Sequence, residues 1–493
     1  MIGIIGYGGY LPRLRVSRRA IVEANAWFAP QFKGKAKGTR SLANWDEDSI
    51  TLAVAAARDC LGPADDRHRV GSVYLASASL PFAERLNAGV VGEALTLDED
   101  VASIDITGSQ RAGLSALVEA LAKTGAATRD TLVLAADNRR THAASAGELD
   151  SGDGAAALLL GRDGVLAEYI GGSVNSVDFV DRFRLAGEDV DYQWEERWIR
   201  DEGIAKLVPP VIGEALREAG IEPGKVDHFI FPTTFQKADA QLAKRCGIRP
   251  EALVDNLAAQ VGDTGVAHGL LLLAHVLERA RPGQHILLAQ FGSGAQVVVF
   301  RVTDAIDRFR PRVGVSGWLA RGVEEASYTK LLSFKGQLAL EKGMRGEQDK
   351  KTALTTLYRH RRAILGLVAG RCSVTGQVHF PPSRISYTQG APAQDTQQPY
   401  KLAERRGTVL SWSAEFLSYY PSPPQQYGQV DFEGGGRILM EFTDLAQGDV
   451  ESGTQVEMTF RIKDGDEKRG FNRYFWKATP VRVPAPNPES THG

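Results

Sequence analysis

The chain is short of cysteine: its 493 residues hold three, Cys60, Cys246 and Cys372. Three widely spaced cysteines make no disulfide framework, and a reducing cytoplasm is the expected home. Long apolar runs are missing as well. No stretch reaches the roughly 18 to 20 apolar residues a bilayer span needs, so no membrane partner is expected. The opening MIGIIGYGGYLP has no charged region ahead of its apolar stretch and reads as a first strand and turn, not a signal peptide. Charge of one sign is also lacking. Net charge is −2, which offers no basic excess to a nucleic-acid backbone, and no nucleic acid is expected. A locally basic groove for an anionic small molecule stays open. What is present is a globular composition, 43% hydrophobic and 24% charged. The length exceeds one ordinary core, so two or more domains are expected.

Strands and helices alternate over the first 300 residues. Residues 2–5, 72–76, 131–135 and 155–160 read as short apolar strands, the first followed by a Gly-rich turn. Residues 49–60 and 112–123 carry helical faces. The plan repeats with helices at 204–219 and 265–280 and strands at 228–231, 285–289 and 296–300. Buried strands between helices suit a parallel or mixed sheet covered on both faces. After residue 303 the chain is mixed and charged, with the run 341–351 reading as a solvated helix or loop. From 359 short strands punctuated by Pro421, Pro423, Pro424 and Gly434–Gly436 give a small all-β barrel pattern. The tail from 484 reads as disordered.

Four segments in order resemble the 3-hydroxy-3-methylglutaryl-CoA synthase and ketoacyl-ACP synthase III branch of the thiolase superfamily. They are IGIIGYGGYLPRLRVSR at the start, SQRAGLSAL from Ser109, SGDGAAALLLG from Ser151 and VGDTGVAHGLL from Val261. Three further segments, GRCSVTGQVHFPP from Gly370, Gly407–Trp412 and Gly428–Phe442, resemble the OB-fold protein that accompanies thiolases. The resemblance implies an α/β class: a duplicated thiolase-type five-layer fold followed by a small all-β OB-fold barrel. The implied domains are 1–165 and 166–302 as the two thiolase-like halves and 303–358 as a linker. Residues 359–482 form the OB-fold with a degenerate zinc ribbon, and 483–493 a tail.

Condensing enzymes of this kind take the acyl group on a thiolate at a helix N-terminus. Laid on that motif, Gln110 stands where the cysteine should be, with Ser109 and Arg111 beside it. Pro232 falls where the family's general-base histidine begins its motif, and proline has no proton to transfer. Asp263 replaces the family asparagine, and the synthase glutamate falls near Ala78. Gln110 and Asp263 are therefore the candidate catalytic pair, Gln110 either polarising a thioester or filling the pocket, Asp263 either a base or an N-cap. Ser109, Arg111, Lys237, Lys244, Arg245 and His268 are candidate substrate contacts, the lysines and Arg245 for CoA phosphates. His268 and His275 share a helix face and also suit hydrogen bonding in a core or interface. Cys372 keeps one cysteine of the ribbon, with His379 the one further donor. A structural zinc takes four ligands, so no metal is expected. No cofactor is expected beyond coenzyme A as part of an acyl-CoA substrate. The resemblance implies a homodimer and a thiolase partner chain, in acyl-CoA Claisen or retro-Claisen metabolism. The competing expectations are a decarboxylase or aldolase working without acylation, and an acyltransferase using Ser109.

Overall fold

The computed structural model describes residues 1–344, 353–387, 392–466 and 469–482. It divides into two compact units. The first comprises Met1–Ala43, Asp48–Gly89 and Leu97–Lys335; the second comprises Asn44–Glu47, Val90–Thr96 and Gly336–Gly493. Most of the charged run at 341–351 and the whole tail from 484 lie outside the described residues.

The first unit is built on nine strands: β1 (Gly3–Tyr10), β2 (Val70–Ala76), β3 (Ala102–Ile106), β4 (Asp130–Asp137), β5 (Gly154–Gly161), β6 (Ala167–Ser176), β7 (His228–Ile230), β8 (His285–Phe291) and β9 (Gly294–Val302). Their order is β7-β8-β9-β6-β1-β5-β4-β2-β3. Within it the run β1-β5-β4-β2 has the same pairing senses as β6-β9-β8-β7: two antiparallel pairs, then a parallel one. That is the duplication expected from the sequence, with β1 and β6 joining the halves antiparallel.

Helices cover both faces. α1 (Ser49–Leu61) packs on β1 and β5, α2 (Ala112–Ala126) on β4 and β2, α3 (Ala205–Ala219) on β6 and β9, and α5 (His268–Leu277) on β5 and β1; α4 (Ala238–Arg245) follows β7. α2 and α5 also touch each other, giving the central layer of a five-layer arrangement. This explains the sequence of α5. HGLLLLAHVL is apolar nearly all round because it is covered nearly all round. β5, GAAALLLG, is buried at every position for the same reason.

Two sequence expectations need correction. The glycines after Ile5 do not turn; β1 runs on to Tyr10. At Gly8 a Cβ would lie 2.4 Å from the Cys60 backbone nitrogen, so glycine here permits the strand to press against α1. The boundary at 302 also moves, because residues 303–335 pack with the first unit. Asp59 of α1 accepts the Val313 N–H at 2.6 Å, and Glu278 accepts N–H groups of Val315 and Ser316, so the helix Gly314–Ala320 is tied down at its start.

The second unit carries β10 (Gly407–Glu415), β11 (Gln425–Phe432), β12 (Arg437–Glu441), β13 (Gln455–Asp466) and β14 (Phe471–Pro480), ordered β12-β11-β10-β13-β14. A parallel bridge between Phe442 and Ala478 brings the two ends together around buried Val430, Met440, Phe460 and Trp476. Asn44–Glu47 belongs to this second unit. Asp46 Oδ2 receives Lys477 Nζ at 2.9 Å and Thr443 Oγ1 at 3.0 Å. Arg461 reaches Glu47 at 2.8 Å and Asp444 at 2.6 Å. These charges are withdrawn from water and persist because each is paired.

Candidate functional site

Gln110 occupies the turn that feeds α2, ahead of the helical backbone at Ala112. The turn is held from several sides. Ser109 Oγ accepts the Arg111 N–H at 3.1 Å, and Gln290 Nε2 donates to the Gln110 carbonyl at 2.9 Å. Gly292 lies directly against it, where a Cβ would sit 3.1 Å from Gln110 Cβ. Arg111 donates to Gly292 O at 2.9 Å, Gln296 Oε1 at 3.3 Å and Ser176 Oγ at 3.0 Å. It rivets the turn to the strands.

The Gln110 side chain meets Arg139, two residues past β4. Arg139 Nη1 donates to Gln110 Oε1 at 2.7 Å, and its Nη2 donates to Asp191. Asp191 also lies 3.6 Å from Arg182. Arg182 and Asp191 belong to a small hairpin in which Arg182–Phe183 pairs with Tyr192–Gln193. Arg140 binds Asp189 of the same segment at 2.8 Å, and Arg184 donates to Ala78 O at 2.6 Å. The hairpin is thus strapped down over the turn. Burial, then the neighbouring Arg182, push the Arg139 guanidinium down to about 9, against the opposing pull of Asp137 and Asp263.

Beneath lies Asp137, fully buried at the end of β4. Its Oδ1 accepts from Ser77 Oγ (3.0 Å), Ala78 N (2.8 Å) and Ser79 Oγ (2.8 Å), and its Oδ2 from Val266 N (2.8 Å). Asp263 is pinned by its backbone. Its N–H donates to Asp150 O at 2.8 Å and its carbonyl accepts Gly152 N–H at 2.7 Å, while its Oδ1 accepts Gly265 N–H at 2.9 Å.

Gln110, Asp263 and Pro232 line one cavity together with Asp181, Arg182, Phe231, Thr233 and Gln290; its volume is about 70 Å³. A water occupies about 30 Å³ of liquid, and pockets for drug-sized ligands run from about 300 Å³. The space beside Gln110 is therefore well below that of a pocket for a drug-sized ligand. A Gln amide whose oxygen is held by Arg139 can still donate through its nitrogen; it cannot take an acyl group as a thioester.

These observations bear on a known family. The C-terminal model of 3-oxoacyl-[acyl-carrier-protein (ACP)] synthase III matches residues 216–302. The hydroxymethylglutaryl-CoA synthase of Archaeoglobus fulgidus is 30% identical over 320 residues, 63% of this chain and 91% of that protein. This chain belongs to the hydroxymethylglutaryl-CoA synthase family. The Aeropyrum pernix synthase is 28% identical over 347 residues, covering 69% of this chain and 96% of its own length. The crystal structure of 3-oxoacyl-(acyl carrier protein) synthase III from Pseudomonas aeruginosa PAO1 has the same fold, with TM-score 0.54 and 21% identity over 61% of this chain and 98% of that one.

Several sequence-based candidates fall elsewhere in this member of the synthase family. His268 is buried, its Nδ1 taking the Thr264 N–H at 3.2 Å and its Nε2 lying 2.9 Å from Asn256 O. Accepting a backbone N–H leaves Nδ1 without a proton, so Nε2 donates and the ring is a neutral, satisfied core group. Lys237 precedes α4 in a left-handed conformation and is exposed; Lys244 and Arg245 are exposed at the other end of that helix. Arg245 lines a separate groove with Pro209, Leu216 and Cys246. None of these four, nor Arg111, lines the Gln110 cavity. Burial pushes the thiol of Cys246 up to about 11 and raises that of Cys60 too, so neither is an activated nucleophile. The sequence reading missed Arg139, Asp137, Gln290 and the Arg182–Asp191 hairpin. The Arg-Arg pair just past an apolar strand was the available signal, since sites in α/β sheets gather at the carboxyl ends of strands.

Proposed function

We propose that this chain is a condensing-family subunit that forms no acyl-enzyme and serves acyl-CoA carbon–carbon bond metabolism as scaffold or partner of a catalytically active thiolase. The observation that carries the reading is Gln110 at the head of α2, clamped by Arg139 beneath the Asp191 hairpin. The family positions for cysteine, histidine, asparagine and glutamate are read as Gln110, Pro232, Asp263 and Ala78, a set with neither a thiolate nor an imidazole. The ring order β10-β11-β12-β14-β13, with its parallel closure, supports an OB-fold reading of the second unit. Around Cys372 the neighbours are Thr396 Oγ1 at 3.1 Å and the Thr375 N–H at 3.3 Å. That donor set does not fit a structural zinc. The exposed edge strand β3 supports a homodimer formed by strand pairing across β3.

A second reading has one observation in its favour: Gln110 and Asp263 face the same cavity. In it the amide polarises an acyl-CoA thioester and the carboxylate moves a proton, for decarboxylation or aldol cleavage without acylation. An acyltransferase working through Ser109 is a third. The test is the purified chain, alone and with its thiolase, incubated with acyl-CoA esters and followed by mass spectrometry. Turnover only with the thiolase, unchanged by Gln110→Ala, supports the scaffold. Turnover by the chain alone, lost in Gln110→Ala or Asp263→Ala, sinks it. Turnover lost in Ser109→Ala would point to the acyltransferase.

A further inference from the structure

Residues 18–38 form an excursion of the first unit between Ser17 and Thr39, which pair with each other. The helix Arg18–Ala24 ends in a tight turn, where the Phe28 and Ala29 N–H groups donate to Asn25 O at 3.0 and 2.8 Å and Asn25 Nδ2 donates to Ile21 O at 2.9 Å. Ala29 is buried and Phe32 packs against the cluster of Val16, Ile21, Val22, Leu42, Leu149 and Leu331, so the turn is fixed from beneath. On this fixed turn Trp27 is 84% exposed and Phe28 64%, with ring centroids 5.6 Å apart. Scattered exposed apolar residues need no explanation; two adjacent aromatics held rigidly in water do.

The charge of their own segment is one-sided. From Arg18 to Arg40 there are six Lys and Arg residues and one acid, Glu23, in a chain of net charge −2. Lys35 pairs with Asp150 at 2.8 Å, whereas exposed Arg19, Lys33 and Lys37 make no ion pair among the described residues. No residue of the turn lines the cavities at Gln110, beside Arg245 or in the barrel. The aromatic pair stands outside those cavities and faces solvent.

We propose that this turn docks the protein on an anionic lipid surface, Trp27 and Phe28 entering the headgroup layer while Arg19, Lys33 and Lys37 meet lipid phosphates. Amphipathic rings favour that layer, and clustered cations draw a protein to anionic leaflets. No helix among the described residues is long and apolar enough to cross a membrane, so the contact is peripheral. The expectation of no membrane partner rested on the lack of a span and does not address this mode. The proposal stands apart from the chemistry at Gln110.

The test is sedimentation of the full chain with phosphatidylcholine vesicles, plain or containing about one-third phosphatidylserine, at low and high salt. The wild type is expected to partition onto the anionic vesicles at low salt and to be released by salt. The Trp27→Ser/Phe28→Ser double variant should lose about tenfold or more in partitioning, and Lys33→Glu/Lys37→Glu should abolish the preference for anionic lipid. All these residues are exposed, and an unchanged melting curve certifies each variant as folded. Absence of wild-type binding at low salt, equal binding to both vesicle types, or variants that bind like the wild type would each overturn the proposal.

Discussion

Removing the Arg139 guanidinium would free Gln110 Oε1 and strand Asp191, whose side chain is 11% exposed. Breaking a buried pair by deleting one partner costs about 3–5 kcal/mol, and Arg139→Ala should lose stability of that order in urea denaturation. Arg139→Ala/Asp191→Ala should cost less than the sum of the two single changes, because the second deletion no longer strands a charge. His268 sets a pH test. Burial lowers its pKa, so below the ordinary imidazole range the unfolded chain binds more protons than the native one. Stability from this group is full above about pH 6.5 and falls on acidification, a slope that His268→Gln should remove in denaturation curves taken from about pH 5 to 8. The sequence placed Gln110, Pro232 and Asp263 in one site because each sits at a motif position. It could not place Asp191, whose role depends on a hairpin with no hydrophobic period.

Short apolar strands were legible wherever burial on both faces leaves a continuous run, as in β5. β1 was read short because its glycines look like turn residues when α1 is not yet in view. The stitch between these elements is Asp59, which accepts Gly9 N at 2.9 Å and Val313 N at 2.6 Å. Burial raises its carboxyl to about 6, despite those bonds. The native state therefore holds this proton more tightly than the unfolded chain, and the group's contribution declines as pH rises from about 4 to 6. Asp59→Asn should flatten that stretch of the stability profile, measured by chemical denaturation. Asp59→Ala should instead lose about 2–4 kcal/mol by leaving buried N–H groups without acceptors.

At the scale of the molecule the duplication shows in pairing sense, which sequence alone suggested but could not measure. The boundary after Lys335 escaped the sequence because residues 303–335 have no long periodic run; what places them is capping by Asp59 and Glu278. The β3 edge, with Ile104 43% exposed, gives the dimer proposal its test. Ile104→Lys should raise the dimer dissociation constant about 10-fold or more in analytical ultracentrifugation, as expected for a charge placed in a pairing edge.

The Asp46–Lys477 pair has a consequence for how the chain is made. Its partners are 431 residues apart. At about 5–20 residues per second, a ribosome delivers the cation roughly 20–90 s after the carboxylate. Until then Asp46 and Glu47 lack their cationic partners, so the second unit is completed only once Lys477 has been made. A nascent or truncated chain that stops before β13 carries two acids meant for burial with no counter-ions, a mark by which quality control could tell unfinished molecules from finished ones.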